Sequence, residues 1–506
     1  MSSRTKNAEK NIISAAFFQI VNIVLKFALR TVFIYTLGKE YLGINGVFSN
    51  VLSILALSEL GIGTAIIYDM YKPIAENNHD KIASLVTFFK QIYRFIGLFI
   101  FFAGLCILPF LNHILTDIPN VSHVSLIYLL YLISSTSSYF FAQYTSLISA
   151  YQKNHIITNS KIVFSVIKTV VETVLLIGFH SFILYLIVEI IVQVAQNYYI
   201  YLKAKNLFPF ICKQGMPLPK NEKKSIFKNA FSNFSIRVSW ALIDCTDNIL
   251  ISILVSTILV GVYSNYTLIM QICLTSTVMI MNAVQAGVGN ACVSGNVKDR
   301  IALFKRINYL FLTIYAFIAL FFVTSIEDFL KIWVGETYVL PFVVEIIIIM
   351  NYCISGVRQA AEIFVAADGL FKYFKVMPLV SAVLNLILSV VLGKQYGLMG
   401  ILLATTISQL LTNAWYFPYI VCKHSLKESP VFYVKSYVFG ILFVSLTAWI
   451  IKALLLPILH IGNDYIALIC SVFLSLVIGV LFYVAMTYKT AEFRYYKQLV
   501  FSLIKK

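Results

Sequence analysis

The chain has 506 residues, of which 60% are hydrophobic, and it carries a formal net charge of +17. Soluble globular chains are only about 45–50% apolar, so this composition argues against an ordinary soluble domain. The positive charge could indicate nucleic-acid binding, but the basic residues fall mainly between long apolar segments. These features predict an all-α, polytopic membrane protein that binds no nucleic acid and contains no soluble catalytic domain.

Apolar segments recur along the whole chain, and a bilayer span needs roughly 20 such residues. We therefore predict about fourteen transmembrane helices. They cover residues 11–37, 41–70, 88–111, 121–150, 155–178, 181–202, 229–255, 258–291, 305–326, 342–367, 370–393, 396–421, 433–456 and 464–487.

Basic residues between these spans lie almost entirely on alternate loops. The loops after odd-numbered spans carry only Lys39, Lys331 and Lys394, whereas most lysines and arginines fall in the two termini and in the other loops. This positive-inside pattern predicts that both termini are cytoplasmic. The tail, residues 489–506, alternates basic and apolar residues and is predicted to lie at the membrane interface.

The organisation along the chain suggests two lobes of six helices. The proline- and lysine-rich segment 203–229 follows the sixth span and cannot form one continuous helix. A weak internal repeat relates Gly43 to Gly261, and relates Ala150 to Ala367 at nearly the same offset. We therefore predict lobes related by a pseudo-two-fold axis and two appended helices, with boundaries at 1–205, 206–228, 229–424 and 425–506.

Charged residues inside spans are costly and usually face the bundle interior. Lys26 and Arg30 share one face of the first span, where no acid neutralises them. Lys168 has Glu172 four residues on, and Arg358 has Glu362 at the same spacing, so these two pairs could be self-neutralised.

Cations in such a chamber would suit an anionic group such as a pyrophosphate, because arginine binds phosphate through a bidentate fork. Interhelical salt bridges, for example Arg30 with Asp244, are the structural alternative. We predict no metal site and no cofactor, since the cysteines are scattered and the histidines lack ligand spacing. The predicted substrate-binding residues are Lys26, Arg30, Lys168, Arg237 and Arg358, and the predicted ion-coupling residues are Glu59, Asp244 and Glu362.

The opening of the chain resembles a known family. Its marks are Arg30 late in the first span, the tight turn LGKEYLG, and Glu59 followed by LGIG; the later AADGLFK is similar too. These motifs resemble the Wzx-type polysaccharide repeat-unit flippases of the multidrug/oligosaccharidyl-lipid/polysaccharide (MOP) exporter superfamily. Arg30 and the Glu59 motif are the positions that carry over.

The resemblance implies that the chain flips undecaprenyl-pyrophosphate-linked oligosaccharides across the bacterial cytoplasmic membrane, for capsule, exopolysaccharide or O-antigen. It also implies alternating access through a cationic cavity, driven by an ion gradient. The implied partners are the lipid-linked oligosaccharide, membrane lipids, a polysaccharide polymerase and glycosyltransferases.

Three alternatives remain open at this stage. A multidrug exporter of the same superfamily would share the fold but normally has fewer spans, and a lipid II flippase would share the cationic cavity. An integral-membrane glycosyltransferase or polymerase would need a long outer loop, whereas the longest one here is the short segment 327–341. The sequence therefore favours a transporter over an enzyme.

Overall fold

The structure is a computed structural model that describes residues 3–504, apart from 60–61, 118–120, 213–214, 232–233, 295, 456 and 458–463. Helices dominate this part of the chain, and it contains no strand. The chain divides into two compact units, Met1–Ser264 and Asn265–Lys506.

The described residues of the first unit form ten helices and the start of an eleventh, which continues into the second unit. They are α1 (Ser3–Leu55), α2 (Ile62–Ala75), α3 (His79–Leu105), α4 (Leu111–Ile114), α5 (Val124–Ser137), α6 (Ala142–Ala150), α7 (Asn154–Phe179), α8 (Phe182–Leu207), α9 (Lys220–Phe231), α10 (Phe234–Leu254) and the beginning of α11 (Thr257–Ser294).

The second unit continues α11 and is built from the helices that follow it. They are α12 (Val297–Val334), α13 (Phe342–Val357), α14 (Gln359–Ala367), α15 (Met377–Leu411), α16 (Asn413–Val421), α17 (Val431–Trp449), α18 (Asp464–Thr487) and α19 (Ala491–Ile504).

Two of the long helices contain a sharp internal kink at a glycine. Gly38 has φ 82° inside α1, and Gly397 has φ 59° inside α15. A side chain would strain this left-handed backbone, whereas glycine adopts it readily. Each kink lies at or next to a predicted boundary between two spans, so each long helix holds parts of two predicted spans.

The described residues include ten helices that are long and apolar enough to cross a bilayer, and the bent pair of α5 and α6 makes an eleventh. The number is lower than fourteen for two reasons. The kinked helices at Glu9–Leu55 and Leu370–Leu426 each combine two predicted spans. Helix α10, where the seventh span is predicted, carries three charged residues, Arg237, Asp244 and Asp247, and is not among the ten. The prediction of an all-α, polytopic membrane protein is confirmed.

Two predicted spans are broken where a candidate site residue lies. The second predicted span is interrupted after α1 by a 3-10 turn, Ala56–Glu59, before α2 begins. The tenth is interrupted at Arg358, which separates α13 from α14. The apolar pattern predicts these segments as continuous because it does not register a local interruption of the α-helical hydrogen bonding, and Phe342–Ala367 still counts as one span.

Candidate functional site

Helix α1 carries the first two predicted substrate-binding residues. The guanidinium of Arg30 is partly buried and donates a hydrogen bond to the Ser264 hydroxyl, which in turn donates to the Gly261 carbonyl at 2.6 Å. Lys26, one turn earlier, is exposed and forms no hydrogen bond or ion pair within the described part of the chain. The two cations therefore share a helix face but occupy different surroundings.

A close backbone crossing lies one helical turn from the Arg30 partner. A Cβ atom built on Gly261 would lie 2.3 Å from the Lys39 carbonyl oxygen and 2.9 Å from the Gly43 nitrogen. Glycine is therefore required for α1 and the start of α11 to approach this closely. The crossing holds the segment that carries Ser264 against α1, so it positions the hydroxyl that Arg30 contacts.

Lys168 forms a cluster with two carboxylates in the interface of α7 and α8. Its ammonium nitrogen lies 2.6 Å from Glu189 Oε1 and 3.8 Å from Glu172 Oε1. The predicted pairing with Glu172 is confirmed, but the shorter contact is to Glu189 on the neighbouring helix. The sequence shows the Glu172 spacing directly, whereas the Glu189 contact depends on how α8 packs.

Glu172 is the unusual member of this cluster. Its side chain is fully buried at 0% exposure, and neither carboxylate oxygen accepts a hydrogen bond from a described group. The side chains of Lys168 and Glu189 retain 29% and 26% exposure. Two carboxylates face one ammonium, so the cluster has one acidic group more than its lysine neutralises. A buried carboxylate is costly unless it is paired or holds a proton.

Glu59 lies at the end of the 3-10 turn between α1 and α2. It is partly buried and lies near the Tyr139 hydroxyl. The break in the helix places this carboxylate beside a polar side chain of another element, which is consistent with either a structural or an ion-binding role.

Arg358 and Glu362 form a compact ion pair in the second unit. Arg358 Nε lies 2.8 Å from Glu362 Oε1, and the arginine side chain is only 3% exposed. The guanidinium also lies over the Phe417 ring, 5.3 Å from its centroid. This (i, i+4) pair agrees with the sequence prediction, and it lies at the break between α13 and α14.

An apolar groove of about 540 Å³ adjoins Arg358. Its walls come from α12, α13, α16 and α17, and Val357, the residue before Arg358, lines it. The Tyr433 hydroxyl donates to the Val357 carbonyl at 3.3 Å, and both residues line the groove. The groove is therefore a long apolar surface with a buried cation beside it.

The side chains of Arg237 and Asp244 lie outside the described part of the chain, although both residues belong to α10. Their predicted roles, including the alternative Arg30–Asp244 pair, stay predictions. In the described residues no three His, Cys, Asp or Glu side chains are grouped to hold a metal ion.

The sequence reasoning missed two polar clusters of the second unit. Glu345, 2% exposed, accepts a hydrogen bond from the Tyr266 hydroxyl at 2.8 Å. Arg300 binds Asp368 at 2.7 Å and also donates to the Ser425 hydroxyl at 2.7 Å. An acid inside the apolar run FVVEIIII is the signal that could have identified Glu345.

No family model matches the sequence, and no curated protein sequence matches it. Solved structures do resemble it. A lipid II flippase MurJ in an inward closed conformation matches with TM-score 0.65 and 16% identity, over 96% of this chain and 99% of that one.

A multidrug resistance MATE family transporter of the MOP superfamily, in an inward-facing conformation, matches with TM-score 0.60 and 12% identity. That match covers 81% of this chain and 98% of the other. The MATE multidrug transporter DinF-BH matches with TM-score 0.58 and 16% identity, over 83% of this chain and 95% of that one. At these identities the likeness is one of fold, and this chain has the polytopic fold of MurJ and the MATE transporters.

Proposed function

We propose that this protein translocates undecaprenyl-pyrophosphate-linked oligosaccharide repeat units across the bacterial cytoplasmic membrane by alternating access. The product would enter capsule, exopolysaccharide or O-antigen synthesis. Both termini would be cytoplasmic, and a polymerase and glycosyltransferases would act on the same lipid-linked units. The role is transport rather than enzymatic catalysis.

The observation that carries this proposal is the apolar groove beside Arg358. A polyprenyl pyrophosphate combines a long apolar chain with a compact anion. The groove offers apolar wall residues such as Leu312, Ala316 and Ile441, and the buried Arg358 follows the lining residue Val357 in the chain without lining the groove itself. Arginine suits pyrophosphate because its planar fork can donate two parallel hydrogen bonds. The anion would displace Glu362 from part of that fork.

Cations of the first unit support the same class of substrate. Arg30 contacts a neutral hydroxyl at Ser264, and Lys26 is exposed on the same helix face. A substrate phosphate at Arg30 would bring a full negative charge, which a guanidinium binds more strongly than it binds a hydroxyl. Lys168, already paired with two acids, would contribute less.

Ion coupling is assigned to carboxylates within the predicted spans. Glu59, Asp244 and Glu362 are the positions that the sequence indicates, and the cluster of Lys168, Glu172 and Glu189 adds one more. Since that cluster has an acid in excess, Glu172 could bind and release a proton or a small cation during the transport cycle.

A lipid II flippase is the second candidate function. It would move the same polyprenyl pyrophosphate carrier with a different head group, so the groove and Arg358 fit it equally. The resemblance to MurJ extends over 96% of this chain, compared with 81% for the MATE transporter. That greater coverage favours a lipid-linked substrate over a multidrug substrate.

Complementation in two bacterial strains tests the proposal. One strain lacks its repeat-unit flippase and the other has a conditional lipid II flippase; surface polysaccharide and growth are the respective readouts. We expect rescue of the first strain only. Rescue of the second strain alone would support lipid II, and resistance to cationic drugs without either rescue would support a multidrug exporter.

A matched pair of variants links the result to the groove. Arg358→Ala should abolish rescue, whereas Lys331→Gln should not, since both cations belong to (i, i+4) ion pairs but Lys331 is 31% exposed. Membrane protein level by immunoblot is the control. Full rescue by Arg358→Ala would contradict the assignment of the anion to Arg358.

A further inference from the structure

A second cavity, of about 390 Å³, lies where α12, α17, α18 and α19 meet. Residues from all four helices and from the turn before α19 line it. The lining includes Lys305 and Lys435 together with Glu492, so its charged groups are two cations and one anion. It is distinct from the groove beside Arg358, although Leu312 borders both.

The tail helix builds one wall of this cavity. The Tyr496 hydroxyl donates to the Arg306 carbonyl at 3.1 Å, and the Tyr496 ring stacks on Tyr309 with centroids 6.0 Å apart. Arg306 in turn lies 3.9 Å from the centroid of the Tyr495 ring. The amphipathic tail is therefore docked on α12 by specific contacts, and its Glu492 lines the cavity.

The lining has polar groups that the protein does not satisfy. Asn308 is only 3% exposed, and its Oδ1 accepts no hydrogen bond from any described residue. Lys435 is exposed, and Lys305 faces the Phe432 ring at 5.2 Å. Neither lysine lies within ion-pair distance of an acid in the described part of the chain. Two unpaired ammonium groups favour an anion, and the buried amide oxygen favours a ligand that also carries a hydroxyl donor.

The position of the cavity favours a lipid over a soluble anion. Lys435 lies near the start of α17, and Thr487 is the last residue of α18, at the end that the charge pattern predicts to be cytoplasmic. The apolar side chains Val431, Val438 and Leu442 are exposed along α17 and do not line the groove beside Arg358. An acyl chain could lie on that surface while its phosphate remains at the level of the two lysines.

We propose that this cavity binds the head group of an anionic, hydroxyl-bearing glycerophospholipid from the cytoplasmic leaflet. The ammonium groups of Lys305 and Lys435 bind the phosphate oxygens, and Asn308 Oδ1 accepts a hydrogen bond from a head-group hydroxyl. The bound lipid joins the tail helix to the two last spans. The proposal does not rest on the transported substrate, because no predicted substrate-binding residue lines the cavity.

Native mass spectrometry of the full chain, released from nanodiscs with equal amounts of phosphatidylglycerol and phosphatidylcholine, tests this site. We expect retained phosphatidylglycerol, and about fivefold less retention for each lysine replaced by glutamine, the factor expected for one surface cation. The matched control is Lys489→Gln with Lys497→Gln, two exposed lysines on the tail that do not line the cavity.

The site would be overturned if the control variant lost as much phosphatidylglycerol as the cavity variants. It would also be overturned if the protein retained as much phosphatidylcholine as phosphatidylglycerol. If Lys305→Gln impairs folding, Lys435→Gln alone still tests the site, because Lys435 is exposed.

Two competition experiments identify the class of ligand. Displacement of the lipid by glycerol phosphate at equal concentration would indicate a soluble anion, and displacement by undecaprenyl pyrophosphate would indicate the transported carrier. Either result would contradict the phospholipid assignment.

Discussion

Replacing Lys168 by methionine should destabilise the first unit measurably. The substitution keeps an unbranched apolar chain but removes the only ammonium within 4 Å of Glu172 and Glu189 among the described residues. Removing one partner of a fully buried ion pair costs about 3–5 kcal/mol, because the other charge stays buried. Glu172 is fully buried, but Lys168 and Glu189 are about a quarter exposed, so solvent reduces the cost to about 2–3 kcal/mol.

A loss of this size corresponds to a fall in melting temperature of about 4–12 °C for a unit of this length. Fluorescence-detected thermal unfolding of the purified protein in one detergent is the assay. Glu172→Gln should be nearly neutral or stabilising, because it removes the excess acid. The triple variant with Lys168→Met, Glu172→Gln and Glu189→Gln should recover most of the loss, since no charge remains in the cluster.

An unchanged melting temperature for Lys168→Met would refute the idea that this lysine compensates buried charge. A triple variant less stable than Lys168→Met would show that packing or hydrogen bonding, rather than charge balance, dominates the cluster. Glu172→Gln adds a functional readout. If Glu172 carries the coupled ion, this variant should remain folded and lose gradient-driven transport.

Arg30→Ala should abolish polysaccharide export at normal protein level, and Arg30→Lys should retain part of it, because the charge survives without the bidentate fork; surface polysaccharide yield measures both. Gly261→Ala should destabilise the protein by about 1–3 kcal/mol through overpacking. Gly178→Ala is its control, since no atom lies within 4 Å of the added Cβ, and equal melting temperatures would contradict the crossing. In a cysteine-free background, Lys394→Cys should label from outside intact cells and Lys205→Cys should not; the reverse result would invert the orientation.

Much of the fold follows from apolar segment length, because a bilayer span has no other way to satisfy its backbone. The apolar pattern also predicted a span boundary close to the kink in α1, since Gly38 directly follows the end of the first predicted span. It did not show that α1 continues through that kink to Leu55, or that a 3-10 turn follows. Hydropathy averages over many residues, so a change of direction over one or two residues leaves no mark on it.

The sequence predicted a contact of the candidate site only where the two side chains lie one helical turn apart in the chain. The spacing of Arg358 and Glu362 gave their contact directly, because side chains four residues apart lie on one helix face. Spacing could not identify Glu189 as the nearer partner of Lys168, or Ser264 as a partner of Arg30. Those contacts depend on which helices pack together, which the sequence of one helix does not specify.

This difference bears on how the two ion pairs would take part in the proposed transport. Arg358 and Glu362 are joined by one turn of backbone, so rigid-body motion of neighbouring helices leaves their distance nearly unchanged. An anion that binds Arg358 therefore meets Glu362 in the same place throughout such a motion. The Lys168–Glu189 contact joins α7 to α8, so a shift of one helix against the other lengthens it and alters the charge compensation of Glu172. A substrate-binding role therefore fits the local Arg358 pair better, and a role in sensing helix movement, with ion release from Glu172, fits the Lys168 cluster better.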